Sequence, residues 1–391
     1  MCFSVIGEKL TDFIGTIVYI GGMEMPDRNA AAHRALNNAK IFRELGYNVV
    51  FCGIDKLIDR DIYPPVQMGN FSNCPAKHPV SPKEWLKSLY DFSHIKRVLD
   101  TYDDIKFVVA YNMHSRPLSW LIGYCKKRNI KVIADITEWY ENKFSFSPVK
   151  FIKWLDTFRV MKRLYKKVDG IIAISKYLTD YYSSYVKQIV QIPPLIDIEE
   201  EIWKNIPFDY LDKVEFVYSG VPGATKDRIE LIVECLADLN DNYDFLFNVI
   251  GITKEQFIEY YPNFVKLLDK LDNKIAFHGR VSHTESIFAL RKADYCIFIR
   301  ERTRKNMAGF PTKFAECVTA GVGVIANDIS NIKDYYPLDN SEIISSVDKT
   351  DIKTAIVNAI GNGKIRHKAL NLFDYRNYIE KIKLFLSKVN K

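Results

Sequence analysis

Twelve short apolar runs alternate with helical patterns along this chain, and that alternation limits its fold more than any other feature. In the first half the runs fall at 14–20, 48–52, 106–111, 131–136, 170–175 and 189–192. In the second half they fall at 215–219, 245–250, 274–279, 294–299, 322–327 and 342–345. Strands separated by helices cross over rather than turn back, which builds parallel sheets with helices on both faces. Open sheets rarely exceed about 10 strands, so two sheets are expected. The break is expected at "QIPPLIDIEEEIW", where Pro193-Pro194 precedes three consecutive acids. The expected fold class is α/β, with two doubly wound Rossmann-like domains, 1–195 and 196–370, on either side of a cleft. An amphipathic helix within 371–391 is expected to pack back on the first domain. Residues 59–82, with five prolines, read as a surface excursion.

Composition narrows the function classes. Seven cysteines, none closer than 21 residues to another, suggest neither a disulfide framework nor a paired-cysteine metal site. Seven scattered histidines without a His-Glu-x-x-His pattern suggest no zinc site, and no metal is expected. No apolar run approaches the ~20 residues that cross a bilayer, and the N-terminus lacks the pattern of a secretory signal, so a cytoplasmic location is expected. The net charge of +7 is uneven: 147–168 carries seven basic residues and one acid. Its apolar residues Phe151, Trp154, Leu155, Phe158, Met161, Leu164 and Val168 recur at helical spacing. Such a helix either packs its stripe on a core or also touches an anionic membrane surface. No nucleic-acid motif accompanies the charge, so nucleic acid is not an expected partner.

Loops at the carboxyl ends of parallel strands should line the cleft, and several carry chemistry. Gly21-Gly22 after the first strand is either a tight turn or a close approach for a ligand's phosphate, and Asp27 is placed to cap the following helix. His114 follows a strand end. Asp135, Glu138 and Trp139 in "DITEWY" suit a hydroxyl-rich ligand, or equally a helix cap beside a core tryptophan. In the second half, "YSGVPGATKD" places Gly220 in a loop and Lys226 near a helix start, where the dipole disfavours a cation unless an anion binds. "FHGRVSHTE" supplies Arg280 and Val281. Arg300, Arg302, Arg304 and Lys305 then precede "AGFPTKFAECVTAGVGVIAND". There Gly309, Phe310, Pro311 and Thr312 form a corner into a helix that Gly321 ends. The helix-start amides can hold anionic oxygen, and Glu316 can accept bonds from both ribose hydroxyls. Together these features suit a nucleoside diphosphate.

These motifs resemble those of retaining glycosyltransferases of the GT-B fold, specifically glycosyltransferase family four, over nearly the whole chain. The resemblance implies sugar transfer from a nucleotide sugar, UDP- or GDP-linked, with no cofactor and no metal. By it, Gly22, Gly220, Arg280, Val281, Gly309, Phe310, Pro311, Thr312 and Glu316 bind the donor. His114 lies near the donor sugar, and Lys226 with an arginine meets the diphosphate charge. The acceptor, a saccharide or polyprenyl-linked saccharide of bacterial surface polysaccharide synthesis, falls to Asp135, Glu138 and Trp139 in the first domain. Two departures stand out. Ala308 occupies the place of the family's first acid, and no arginine precedes Lys226, so Arg300 or Arg304 is expected to supply that charge. A "GFPTKF" branch of the family is similar in both respects. A nucleotide-sugar epimerase of the same fold, or a silent partner subunit, are the competing readings.

Overall fold

A computed structural model describes residues 13–140, 147–204, 213–222, 226–335, 341–363 and 370–391. All twelve expected strands are present. The first sheet contains β1 (Thr16–Gly21), β2 (Asn48–Cys52), β4 (Val66–Met68), β5 (Phe71–Asn73), β7 (Ile105–Tyr111), β8 (Lys131–Ile136), β9 (Gly170–Ala173) and β10 (Ile189–Gln191). Its order is β10-β9-β8-β7-β1-β2-β5-β4. β3 (Ile54–Asp55) and β6 (Ala76–Lys77) pair with each other beside it. The second sheet, all parallel, runs β13-β12-β11-β14-β15-β16. Its members are β11 (Val214–Ser219), β12 (Phe245–Ile250), β13 (Ile275–Gly279), β14 (Tyr295–Phe298), β15 (Gly323–Asn327) and β16 (Glu342–Ile344). Their near-continuous apolar character reflects burial on both faces: every residue of β14 and β15 is buried.

Chain order reverses at β1/β7 in one sheet and at β11/β14 in the other, and such switch points open a crevice beyond the strand ends. The loops carrying Gly22, His114, Gly220 and Arg300 leave those strands.

Two expectations change. The proline-rich stretch is not only an excursion, because β5 adds to the edge of β2 in parallel and β4 returns antiparallel to it. The basic stretch is not one helix either. It is α-helical over Pro148–Arg159, opens into a π-helical turn at Val160–Leu164 and ends in a 3-10 turn at Tyr165–Lys167. Met161, Leu164 and Tyr165 enter the core, whereas Phe151, Ile152, Leu155 and Phe158 remain 37–39% exposed.

The last helix, Ile379–Val389, lays Ile382, Phe385, Leu386 and Val389 on the first sheet's helical layer. The approach is close at Gly170, where an added Cβ would stand 2.8 Å from Phe385 and Val389 side chains. No described helix is long and apolar enough to cross a membrane.

Candidate functional site

A cleft of about 400 Å³ opens between the two sheets, walled by both halves of the chain and touching Pro194 and Leu195. Its floor on the second side is a charge cluster built where β11, β14 and the Thr312–Ala320 helix meet. Asp227 is buried there and accepts from Tyr218 Oη at 2.6 Å, from Lys313 Nζ at 2.9 Å and from Arg300 Nε. Burial pushes the Asp227 carboxyl up, yet Lys313 and Arg300 outweigh it and hold it well below the usual carboxylate range. Arg300 is anchored by its backbone, which exchanges hydrogen bonds of 2.8 Å with Asn327.

Lys226 borders the same cleft. It is exposed as a residue, but the walls crowd its ammonium. Burial first, then repulsion from Arg300 and, more weakly, Lys313, hold its pKa below an ordinary lysine's. Among the described residues it forms no ion pair within bonding distance. An anion in the cleft would relieve both effects.

The opposite end of the cleft carries Glu316, Asp27 and His283. His283 opens a helix, His283–Lys292, whose start is fixed by reciprocal bonds between Ser282 and Glu285. Its Nδ1 lies 3.6 Å from Asp27 of the first half and its Nε2 lies 3.5 Å from Glu316. Asp27, then Glu316, raise the imidazole from its ordinary 6.5 to about 10. Burial raises the Asp27 carboxyl, but His283 and His33 bring it down to about 2. The bridge therefore spans the two halves as an ion pair.

Its pH dependence has a definite sign. The His283 contribution is complete below pH 6.5 and lost as pH rises through about 10. The Asp27 contribution is complete above pH 3.8 and lost as pH falls through about 2. The stability lost in His283→Gln, read from urea midpoints, is expected to be constant from about pH 4 to 6.5 and to vanish near pH 10. A difference that grows with alkalinity would contradict the bridge.

Asp27, His33 and His283 are also the group, among the described residues, whose potential metal-ligating atoms lie within 4.8 Å of one another. The Asn37 amide nitrogen sits 3.2 Å from His33 Nε2 and donates to it. His33 Nδ1 lies 3.3 Å and His283 Nδ1 3.6 Å from the Asp27 carboxylate. Asp27 caps no helix, because Asn29 accepts from Ala32 N at 2.8 Å and is the cap.

Of the residues anticipated from sequence, Lys226, Arg300, Gly220, Gly309, Phe310, Thr312, Glu316 and Glu138 meet in the cleft. Others do not. Asp135 is fully buried under Arg34, which donates to it at 2.8 and 2.9 Å, with Tyr19 and Asn38 also bonded. Its carboxylate is committed to the interior and cannot meet an acceptor. Trp139, 2% exposed, is the core tryptophan of the alternative reading, edge-on to Tyr181 at 4.8 Å. Arg304 does not line the cleft, since it bonds Tyr177 Oη at 2.8 Å and covers the Trp139 ring at 4.6 Å.

His114 lies in an adjoining cavity of about 510 Å³, to which Lys305 is common, and its Nδ1 pairs with Asp156 at 2.8 Å. Gly22 lines a third cavity of about 730 Å³ within the first half. Gly21 is the glycine that packing demands, because a Cβ there would overlap the Tyr111 carbonyl at 1.9 Å. Pro311 precedes the helix as its cap residue. Arg280 is exposed, Val281 packs partly on the core, and neither lines the cleft. Ala308 is fully buried, and its carbonyl accepts from Ser175 Oγ at 2.6 Å. Sequence reasoning missed Lys313, Asp227, His283 and Arg34. For Lys313 a signal existed, a cation in the first turn of a helix, the same argument that singles out Lys226.

No protein-family model and no curated protein matches the sequence. Solved structures do. Sucrose-phosphate synthase from Thermosynechococcus elongatus superposes with a TM-score of 0.70 at 13% identity, over 96% of this chain and 99% of that one. A glycosyltransferase from Rickettsia africae gives 0.66 at 15% identity, over 97% and 100%. Anabaena HepE in complex with UDP and glucose gives 0.62 at 13%, over 95% and 99%. Two parallel doubly wound sheets, their switch points facing across a cleft, and end-to-end superposition on these proteins together define the architecture: the chain has the GT-B fold.

Proposed function

We propose that this chain is a retaining glycosyltransferase that moves a sugar from a nucleoside diphosphate donor, UDP- or GDP-linked, to a saccharide or polyprenyl-linked saccharide of a bacterial surface polysaccharide. The observation that carries this reading is the cleft floor, where Lys226 and Arg300 stand together with Glu316 further along the same wall. The cations face the diphosphate and Glu316 accepts hydrogen bonds from the ribose hydroxyls. The bond from the anomeric carbon to the phosphate oxygen breaks as the acceptor hydroxyl bonds that carbon, and the hydroxyl proton passes to the departing diphosphate. Preorganised positive charge stabilises what develops on the leaving group, the role a divalent ion would otherwise take. The solved structure of HepE with UDP and glucose in a protein of the same fold supports the donor class. Glu138 in the cleft and His114 beside it are left to the sugar and acceptor.

The exposed apolar residues Phe151, Ile152, Leu155 and Phe158, with Lys150, Lys153 and Arg159 on the same helix, support peripheral contact with an anionic membrane surface. A lipid-linked acceptor would be met there.

The test incubates the protein with UDP- and GDP-sugars and measures nucleoside diphosphate release with and without a polyprenyl-linked acceptor. Release that requires the acceptor is expected. Acceptor-independent conversion of the donor points to the epimerase, and nucleotide binding without turnover points to the silent subunit. Glu316→Gln is expected to weaken UDP or GDP binding by about 1.5–3 kcal/mol, the range for a hydrogen bond to a charged group. Unchanged affinity in calorimetry would remove Glu316 from the ribose.

A further inference from the structure

We propose that Lys313 is a further cation gripping the donor diphosphate, beside Lys226 and Arg300. The inference rests on the donor reading above and adds a residue to it.

Lys313 is the second residue of the Thr312–Ala320 helix and is only 8% exposed. Burying an ammonium costs several kcal/mol unless it is paired, and a helix start disfavours positive charge. Three cations, Lys226, Arg300 and Lys313, gather about the carboxylate Asp227, and Glu138 acts on Lys226 more weakly than Asp227 does. Among the described residues this leaves an excess of positive charge in a partly desolvated floor. Arg300 and the Tyr218 hydroxyl also donate to Asp227.

The geometry places the surplus at the cleft. Lys313 Nζ reaches back over the Tyr218 ring, 3.9 Å from its centroid. It stands 3.5 Å from where a Cβ on Gly220 would sit, and Gly220 has φ +130. Gly220, Lys226 and Lys313 all border the cleft. One bond to Asp227 leaves two of the ammonium's three N–H donors, one face of which is the loop after β11. A ligand that answers this excess of positive charge beside the Gly220 loop is a diphosphate.

The experiment titrates UDP, GDP, uridine and guanosine against the wild-type protein, Lys313→Gln and Lys313→Arg, by ligand-observed NMR, with thermal unfolding of each variant. Gln keeps a hydrogen bond for Asp227 and so protects the fold. The expected result is a loss of at least about tenfold in diphosphate affinity in Lys313→Gln, with nucleoside affinity within twofold of wild type and most of the loss restored in Lys313→Arg. Equal losses for nucleosides and diphosphates, or unchanged diphosphate affinity, would assign Lys313 to the fold alone and overturn the inference while the donor reading stands. A wild-type protein that binds neither UDP nor GDP would overturn both.

Discussion

Asp135→Ala is expected to lower the stability of this protein by about 3–5 kcal/mol, the cost of leaving one partner of a buried ion pair uncompensated. Asp135 is the last residue but one of β8 and has no exposed surface. Arg34 donates to it through Nε and Nη2, and the same guanidinium donates through Nη1 to the carbonyls of Ile192 at 3.0 Å and Pro193 at 3.2 Å. Removing the carboxylate leaves a positive charge in the interior, and it also frees the group that ties the first sheet to the Ile192-Pro193 segment. Burial, then the Asp135 charge, raises the Tyr19 hydroxyl well above an ordinary tyrosine's, so Tyr19 stays a neutral donor and cannot replace the lost anion. Arg34→Met combined with Asp135→Ala is expected to be less destabilising than Asp135→Ala alone, because no charge is then left unpaired. Urea unfolding midpoints check both statements. A loss below about 1 kcal/mol in the single variant would mean that Arg34 finds another partner or water.

That pair also marks where sequence reading stops. The strands were legible because a parallel strand buried on both faces leaves a continuous apolar run, and nothing in a loop imitates it. Strands β4 and β5 were not, since three-residue edge strands among prolines carry no period. The cleft was legible where a local rule applies: Lys226 at a helix start, Gly321 with its φ of +68 ending the Thr312–Ala320 helix, Glu316 one turn inside. Asp135 was misread because a carboxylate at a strand end looks the same whether it faces a ligand or an arginine on a helix 101 positions earlier. Arg304 was misplaced for the same reason. Its position near a strand end fits the cleft, but the aromatic ring of Trp139 claims it first. Long-range partners decide which polar side chain is left over for chemistry, and spacing does not record them.

Lys226 and Arg300 stand in one cleft but are expected to fail in different ways. Lys226→Met is expected to lower kcat/KM by about 10²–10³, the size of effect seen when a single preorganised group that meets developing charge is removed. Its melting temperature should stay near wild type, because among the described residues the Lys226 ammonium has no ion-pair partner to abandon. Arg300→Met removes a guanidinium that neutralises Asp227, so it should lose stability as well as activity. The pH profile separates the two further. Lys226 is held below an ordinary lysine by burial and by Arg300, so kcat/KM in the wild type should begin to fall on the alkaline side before an ordinary lysine would deprotonate. Lys226→Arg keeps the charge at every working pH and should move that limb upward even if it lowers the plateau. If Lys226→Met unfolds early while its turnover per folded molecule is unchanged, Lys226 supports the loop and the diphosphate is gripped without it.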